Sequence, residues 1–471
     1  MHNWRNACRC SRKTTSATDT AVMKETIYHT IATITLTGFM SLALLTTAEV
    51  KAQSVADELK ADANRSAGTY YALNLAKPFA ETPPPDGKKP FYINHYGCSS
   101  SYYLDRPSSY EGPYAILLRA DSLGKLTKLG RDVLQRINLL RTDAKDRTSE
   151  MTSVGKQIIR KQMKQLKDRY PNIFNDHFVI DGRSVVQNHF IQTMNEAIVE
   201  VVRDCTPKKV IFKSSHKYMP WMNPQDRQLT ALRTNQKAVA ALDEFTNSQI
   251  NPSRLMESLF NDQEYVSKHI NAMTLTKQLF TLAGSQQHTT LGAQTKLYDI
   301  FTTEEIYGLW RSQNAQDYIF FGNCTLSGGT QAYLQRHPLW NMLHVGDSIA
   351  NLNTPVVHLR YTNSGVILSL ATLLELNDFN VRTGRLDSLE AFGWTNYQMA
   401  PVGGRIEMIH YKRDKDDDDM LIKVMLNGRE ARLPIKTDCP PYYHWNDVKR
   451  HYLRKLYRYE KNSKEAEEKA K

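Results

Sequence analysis

Four short apolar segments, each followed by a polar loop and a run of helical periodicity, restrict this chain to a layered α/β fold. They are residues 90–96 (PFYINHY), 177–183 (HFVIDGR), 209–213 (KVIFK) and 354–361 (TPVVHLRY). Their apolar residues run on instead of alternating cleanly, as expected of strands covered on both faces. Between them, Thr127 caps a helix with Leu129, Val133, Leu134, Ile137 and Leu140 on one face. Residues 153–170 place Ile158, Ile159, Met163 and Leu166 on another such face, and a third helix runs from 185 towards 202. Strands alternating with helices predict a three-layer α/β core around a mainly parallel sheet. Residues 405–411, 420–426 and 429–433 read as an antiparallel meander, with Asn427-Gly428 as the hairpin turn of its second pair.

The α/β pattern is interrupted at 222–345. Strand signals are scarce there, and polar helical stretches dominate at 225–249, 253–267 and 303–317, with Ser327-Gly328-Gly329 marking a turn. This predicts a helical cap inserted into the core. The expected organisation is a leader over 1–52, core at 53–221, cap at 222–345, core with meander at 346–459, and a charged tail at 460–471. That tail holds four Glu and four Lys, the pattern of a frayed helix or a disordered segment.

The leader rests on residues 27–48, the one long apolar run. It follows Lys24 and ends at Val50-Lys51-Ala52. A basic flank, a short apolar stretch and small residues before Gln53 describe a cleavable secretory signal, hence export to a periplasm or the cell exterior. The threonines and the short apolar centre fit an uncleaved span less well, so no stable membrane span is expected after cleavage. Cys8 and Cys10 precede Met23-Lys24, a more natural signal start. Removing 1–52 takes six basic and three acidic residues and lowers the net charge from +12 to +9. Excess cation points to anionic partners in general. Nucleic acid is not among them: the basic helix with Lys156, Arg160, Lys161, Lys164 and Lys167 lacks aromatic interleaving and reads as a solvated face. Cys98, Cys205, Cys324 and Cys439 remain, allowing three disulfide pairings that spacing does not separate. No CxxC or zinc-type array is present, and the run Asp416 to Asp419 lacks the glycine and distal glutamate of a calcium loop, so neither a metal nor a cofactor is expected.

Three blocks carry a resemblance. Residues 90–103 (PFYINHYGCSSSYY) resemble the opening strand and loop of the histidine acid phosphatases, especially the multiple inositol polyphosphate phosphatase and phytase branch, where the pattern reads close to HYG-RHGSR-Y. Residues 183–194 (RSVVQNHFIQTM) resemble its second block, and 359–364 (LRYTNS) stand where LRFGHD is usual. The stretch 406–443 is also similar to this branch. The resemblance spans most of the chain after the leader, with the cap matching mainly in position and size.

What the resemblance implies for activity depends on the residues that differ. The family's nucleophilic His falls on Ser99, and its two phosphate-holding Arg fall on Cys98 and Tyr102. A further phosphate Arg falls on His189, while the phosphate-binding His and neighbouring proton donor fall on Asn363 and Ser364. A serine needs an activating base, and losing guanidinium forks removes the donors that match phosphate geometry. A Ser364 hydroxyl cannot replace a carboxylic acid as proton donor. Arg183 and Arg360 survive and are expected to give the pocket a positive floor, with His189 as a residual anion contact. His95 is expected to pack in the core. Cys98 is no cysteine-phosphatase nucleophile, because the required Arg six residues on is Leu104. The reading is therefore an exported pseudoenzyme that binds an inositol phosphate, another anionic molecule or a protein partner. The alternative is an active acid phosphatase or phytase built from Ser99, His189, Arg183 and Arg360, and a third is a purely structural protein.

Overall fold

The computed structural model describes residues 54–75, 79–174, 177–352 and 354–470. The apolar run at 27–48, Cys8 and Cys10 therefore lie outside the described residues. Eight strands form one sheet: β1 (Lys89–Cys98), β2 (Val179–Ser184), β3 (Lys209–Ser214), β4 (Val356–Thr362), β5 (Arg405–Lys412), β6 (Leu421–Leu426), β7 (Arg429–Ala431) and β8 (Tyr442–His444). Their order is β3-β2-β4-β1-β5-β6-β7, with β8 also on β6. The four strands predicted from apolar runs are the parallel ones, and β1 joins them to an antiparallel half through β5. The meander closes as its turn residues require, since Asn427 and Gly428 have φ of 53° and 80°, the left-handed pair of a tight hairpin.

Alternation along the strands loads both faces of the sheet. Tyr92, Tyr96, Ile406, Met408, Ile422 and Val424 belong to one core, which Ala315, Leu339, Leu370 and Trp445 complete from the helices. Ile93, Val357, Leu359, Tyr361 and Ile409 point the other way, against Ile159, Met163, Met194 and Ile198. These contacts use α3 (Ser153–Arg169), α4 (Asn188–Val202), α7 (Thr303–Phe321), α8 (Arg336–Ala350), α9 (Ser364–Leu373) and α10 (Trp445–Ala470). The result is the three-layer arrangement.

A third core is wholly helical. It packs α1 (Ser108–Ser122) and α2 (Lys128–Asp143) against residues 250–309, including α6 (Ala272–Ser285). Thr127 caps α2 by accepting from the Gly130 amide. Between β3 and β4 no strand occurs among the described residues. The stretches expected as continuous helices at 225–249 and 253–267 are each cut in two. Asp226, Asn235, Asp262 and Asn271 each accept an amide three residues on, so every one opens a new helix, α5 (Gln236–Gln249) among them. The charged tail is helical, because α10 continues unbroken to Ala470. On α3 three of the five basic residues named above are matched by acids: Arg160 pairs with Glu196 at 2.5 Å, Lys164 with Asp168 at 2.9 Å and Lys167 with Asp204 at 3.0 Å. Cys98, Cys205, Cys324 and Cys439 are all free thiols. No helix among the described residues is long and apolar enough to cross a membrane.

Candidate functional site

Parallel strands deliver their C-terminal ends to one edge, and the loops that leave that edge build the site. Cys98 ends β1 opposite Thr362 at the end of β4. Beyond Cys98 the chain turns through three buried serines. The Ser99 carbonyl accepts the Gly403 amide at 2.8 Å. Ser100 Oγ donates to the Gly155 carbonyl at 2.7 Å, and Ser101 Oγ lies 2.8 Å from His288 Nδ1. Beyond Thr362, Asn363 starts α9, and beyond β2 Gln187 starts α4.

Together these segments enclose a cavity of about 110 Å³ lined by Thr69, Cys98, Ser99, Tyr102, Asp105 and Gln187, with His189, Phe190, Asn363, Ser364 and Val402 completing it. Its chemistry is close to neutral. His189 is 2% exposed, and its ring stacks on Tyr102 at 3.9 Å and 9°. Both ring nitrogens lack a hydrogen-bond partner; Asp105 Oδ1 lies 3.5 Å from Nε2, too far for a direct bond. Burial lowers the His189 pKa to about 3, so the imidazole is uncharged. Asp105, the one charged lining residue among those described, accepts from the Gln187 amide at 3.0 Å. Asn363 Oδ1 accepts the Val366 amide at 3.0 Å and spends the α9 N-terminus on its own cap. No described side chain hydrogen-bonds the Ser99 hydroxyl, and burial pushes the Cys98 thiol up, away from a thiolate. Tyr102 is a shared wall: beyond it lies a cavity of about 340 Å³ lined by Tyr70, Leu104, Ile250, Lys277, Phe280 and Leu309 among others.

No protein-family model and no curated protein sequence matches the chain. Solved structures do. The multiple inositol polyphosphate phosphatase of Bifidobacterium longum, in complex with inositol hexasulfate, aligns with a TM-score of 0.65 at 12% identity, covering 82% of this chain and 97% of that one. Its complex with phosphate gives 0.64 at 13% identity over the same shares. The phytase from D. castellii gives 0.61 at 14%, covering 83% and 85%. The fold is that of the histidine acid phosphatases.

Within the histidine acid phosphatase fold, the structure brings Cys98, Ser99, Tyr102, His189, Asn363 and Ser364 around one cavity. It does not bring Arg183 and Arg360 there. On β2 and β4 these two are register partners and share a sheet face with Asp181 and His358. Asp181 takes both: its carboxylate accepts from Arg183 at 2.9 and 2.7 Å, and its carbonyl accepts from Arg360 Nη1 at 2.7 Å. Arg183 lines a separate groove with Lys208 and Lys209, so the two surviving arginines lie outside the cavity and share the one Asp181 carboxylate there. His95 is fully buried, with Nδ1 3.2 Å from Glu407 Oε1. Asp105 escaped sequence reasoning because it falls just beyond the 90–103 block, and Gln187, inside the 183–194 block, because it is not one of the positions to which the resemblance assigns a role.

The serine loop depends on Gly155. A Cβ there would sit 2.3 Å from the Ser101 carbonyl oxygen and 2.8 Å from Met151 Cγ. Gly155→Ala is expected to displace the loop and cost about 1–3 kcal/mol. A fall in the chemical-denaturation midpoint measures it, and an unchanged midpoint refutes the close packing.

Proposed function

We propose that this protein is an exported, non-hydrolytic member of the histidine acid phosphatase fold. The observation that carries the reading is the cavity's charge: one carboxylate, one neutral imidazole and no cation among the described lining residues. At roughly 5 Å and an effective dielectric near 20, Asp105 repels each unit of anionic charge by about 3 kcal/mol. No activated nucleophile offsets this, since no described side chain hydrogen-bonds the Ser99 hydroxyl. Export is supported by the apolar run at 27–48 and its basic flank.

The full chain is expected to release no phosphate above buffer from phytate or an aryl phosphate between acidic and neutral pH. Robust turnover abolished by Ser99→Ala would overturn the proposal and favour the active alternative. Binding without turnover is a second reading. It is favoured by α4, whose N-terminus ends on the cavity without a side-chain cap and supplies partial positive charge. The Bifidobacterium longum relative was captured with inositol hexasulfate and with phosphate. Calorimetric titration with inositol hexakisphosphate separates a binding protein from one whose cavity is only structural.

A further inference from the structure

Far along the sheet from the loops just described, β8 carries an unassigned set of metal-ligating groups. Asp438 and Cys439 lie in the connection that enters β8, and His444 ends it. β8 pairs with β6 so that His444 stands opposite Leu421. One ligand atom from each of Asp438, Cys439 and His444 lies within 4.8 Å of the others. We propose that these three side chains bind one zinc-class divalent cation.

The donor set selects the ion. A thiolate, an imidazole nitrogen and a carboxylate suit zinc, whereas calcium and magnesium take oxygen ligands only. Zinc–donor bonds of about 2.0–2.3 Å put tetrahedral ligands roughly 3.3–3.7 Å apart, so the group must close by about 1 Å. Asp438, whose side chain is 81% exposed, is free to make that movement. His444 is already oriented. Its Nδ1 lies 2.6 Å from Asp419 Oδ1, which leaves Nε2 facing Asp438 Oδ1 at 2.9 Å. A carboxylate on the far nitrogen is the arrangement that fixes a ligating imidazole. Asp419 is itself held from outside the group by Lys88, at 3.6 Å. On binding, the Cys439 S–H bond breaks, sulfur bonds to the metal and the proton leaves to solvent. Three protein ligands leave a fourth position for water.

The test uses the full chain carrying Cys8→Ser and Cys10→Ser, which removes the other closely spaced thiols, after treatment with a chelator. Zinc titrated by calorimetry is expected to saturate at one equivalent. Cobalt(II) is expected to give a thiolate-to-metal charge-transfer band, lost in Cys439→Ser. His444→Ala is expected to weaken zinc binding at least about 10-fold, and Asp419→Asn by about 10–100-fold. Zinc should also raise the melting temperature of the parent and not of Cys439→Ser, whose own melt shows that it folds. No saturable uptake overturns the site, as does a cobalt band that survives Cys439→Ser or an affinity indifferent to His444→Ala.

Discussion

Acidification is expected to unfold this protein in the range of roughly pH 3–5, whatever its cavity does. The cause is buried, uncharged histidine. Burial lowers the pKa of His189 to about 3, of His288 to about 4 and of His410 to about 3, against an ordinary 6.5. His95 and His358 are lowered in the same way. Below pH 6.5 the unfolded chain binds protons that the folded chain refuses, so stability falls with pH until the folded values are reached. Each such group contributes about 1.4 kcal/mol per pH unit. Asp317 opposes the trend, because burial raises it to about 6 and the folded state takes up its proton first. His444, raised by Asp419 and Asp438, adds stability that is already complete below about pH 6.5 and leaves the slope there unchanged. The balance is a loss of roughly 3–5 kcal/mol per pH unit, set against a total stability of about 5–15 kcal/mol. Urea melts between pH 7 and 4 measure this, and His410→Phe should flatten the slope. A midpoint independent of pH would show that these rings are solvated.

Arg405→Met is expected to cost about 3–5 kcal/mol at neutral pH. Glu407 is 1% exposed and sits between Arg405 Nε at 3.1 Å and His95 Nδ1 at 3.2 Å. Burial pushes its carboxyl up, but the Arg405 guanidinium, with His95, outweighs that and holds it at about 2. Without the guanidinium a buried carboxylate faces a neutral imidazole and must either stay charged without support or take up a proton. The loss comes from isolating the charge, so Arg405→Met with Glu407→Met should recover most of it. Equilibrium unfolding of the two variants decides, and a double variant no more stable than the single one refutes the pairing.

The parallel half of the sheet was legible because its strands are apolar on both faces, and the hairpin because Asn427-Gly428 fits one turn type. Helix breaks in the 222–270 region were not, since they depend on Asn and Asp side chains choosing a cap over a solvated helical position. The three resembling blocks led to Cys98, Ser99, Tyr102, His189, Asn363 and Ser364, whereas Thr69, Asp105 and Val402 reach the cavity from outside them. The misplacement of Arg183 and Arg360 has a plain cause: sequence shows that an arginine survives, but not that Asp181, two residues from one and across the ladder from the other, claims both guanidinium groups. The Asp438–Cys439–His444 group was invisible to spacing rules because the separation that matters is made by strand pairing and by the two prolines between the thiol and the imidazole.

The stacking of Tyr102 on His189 and the capping by Asn363 tie two cavity residues to the packing around them. A substitution at Tyr102 or Asn363 therefore removes a support before it adds any new chemistry. Ser99→His alone would place an imidazole in a space without phosphate-holding cations, while Tyr102→Arg alone would unstack a buried ring. Changes at Tyr102 and Asn363 thus alter the stability of the fold and the chemistry of the cavity together.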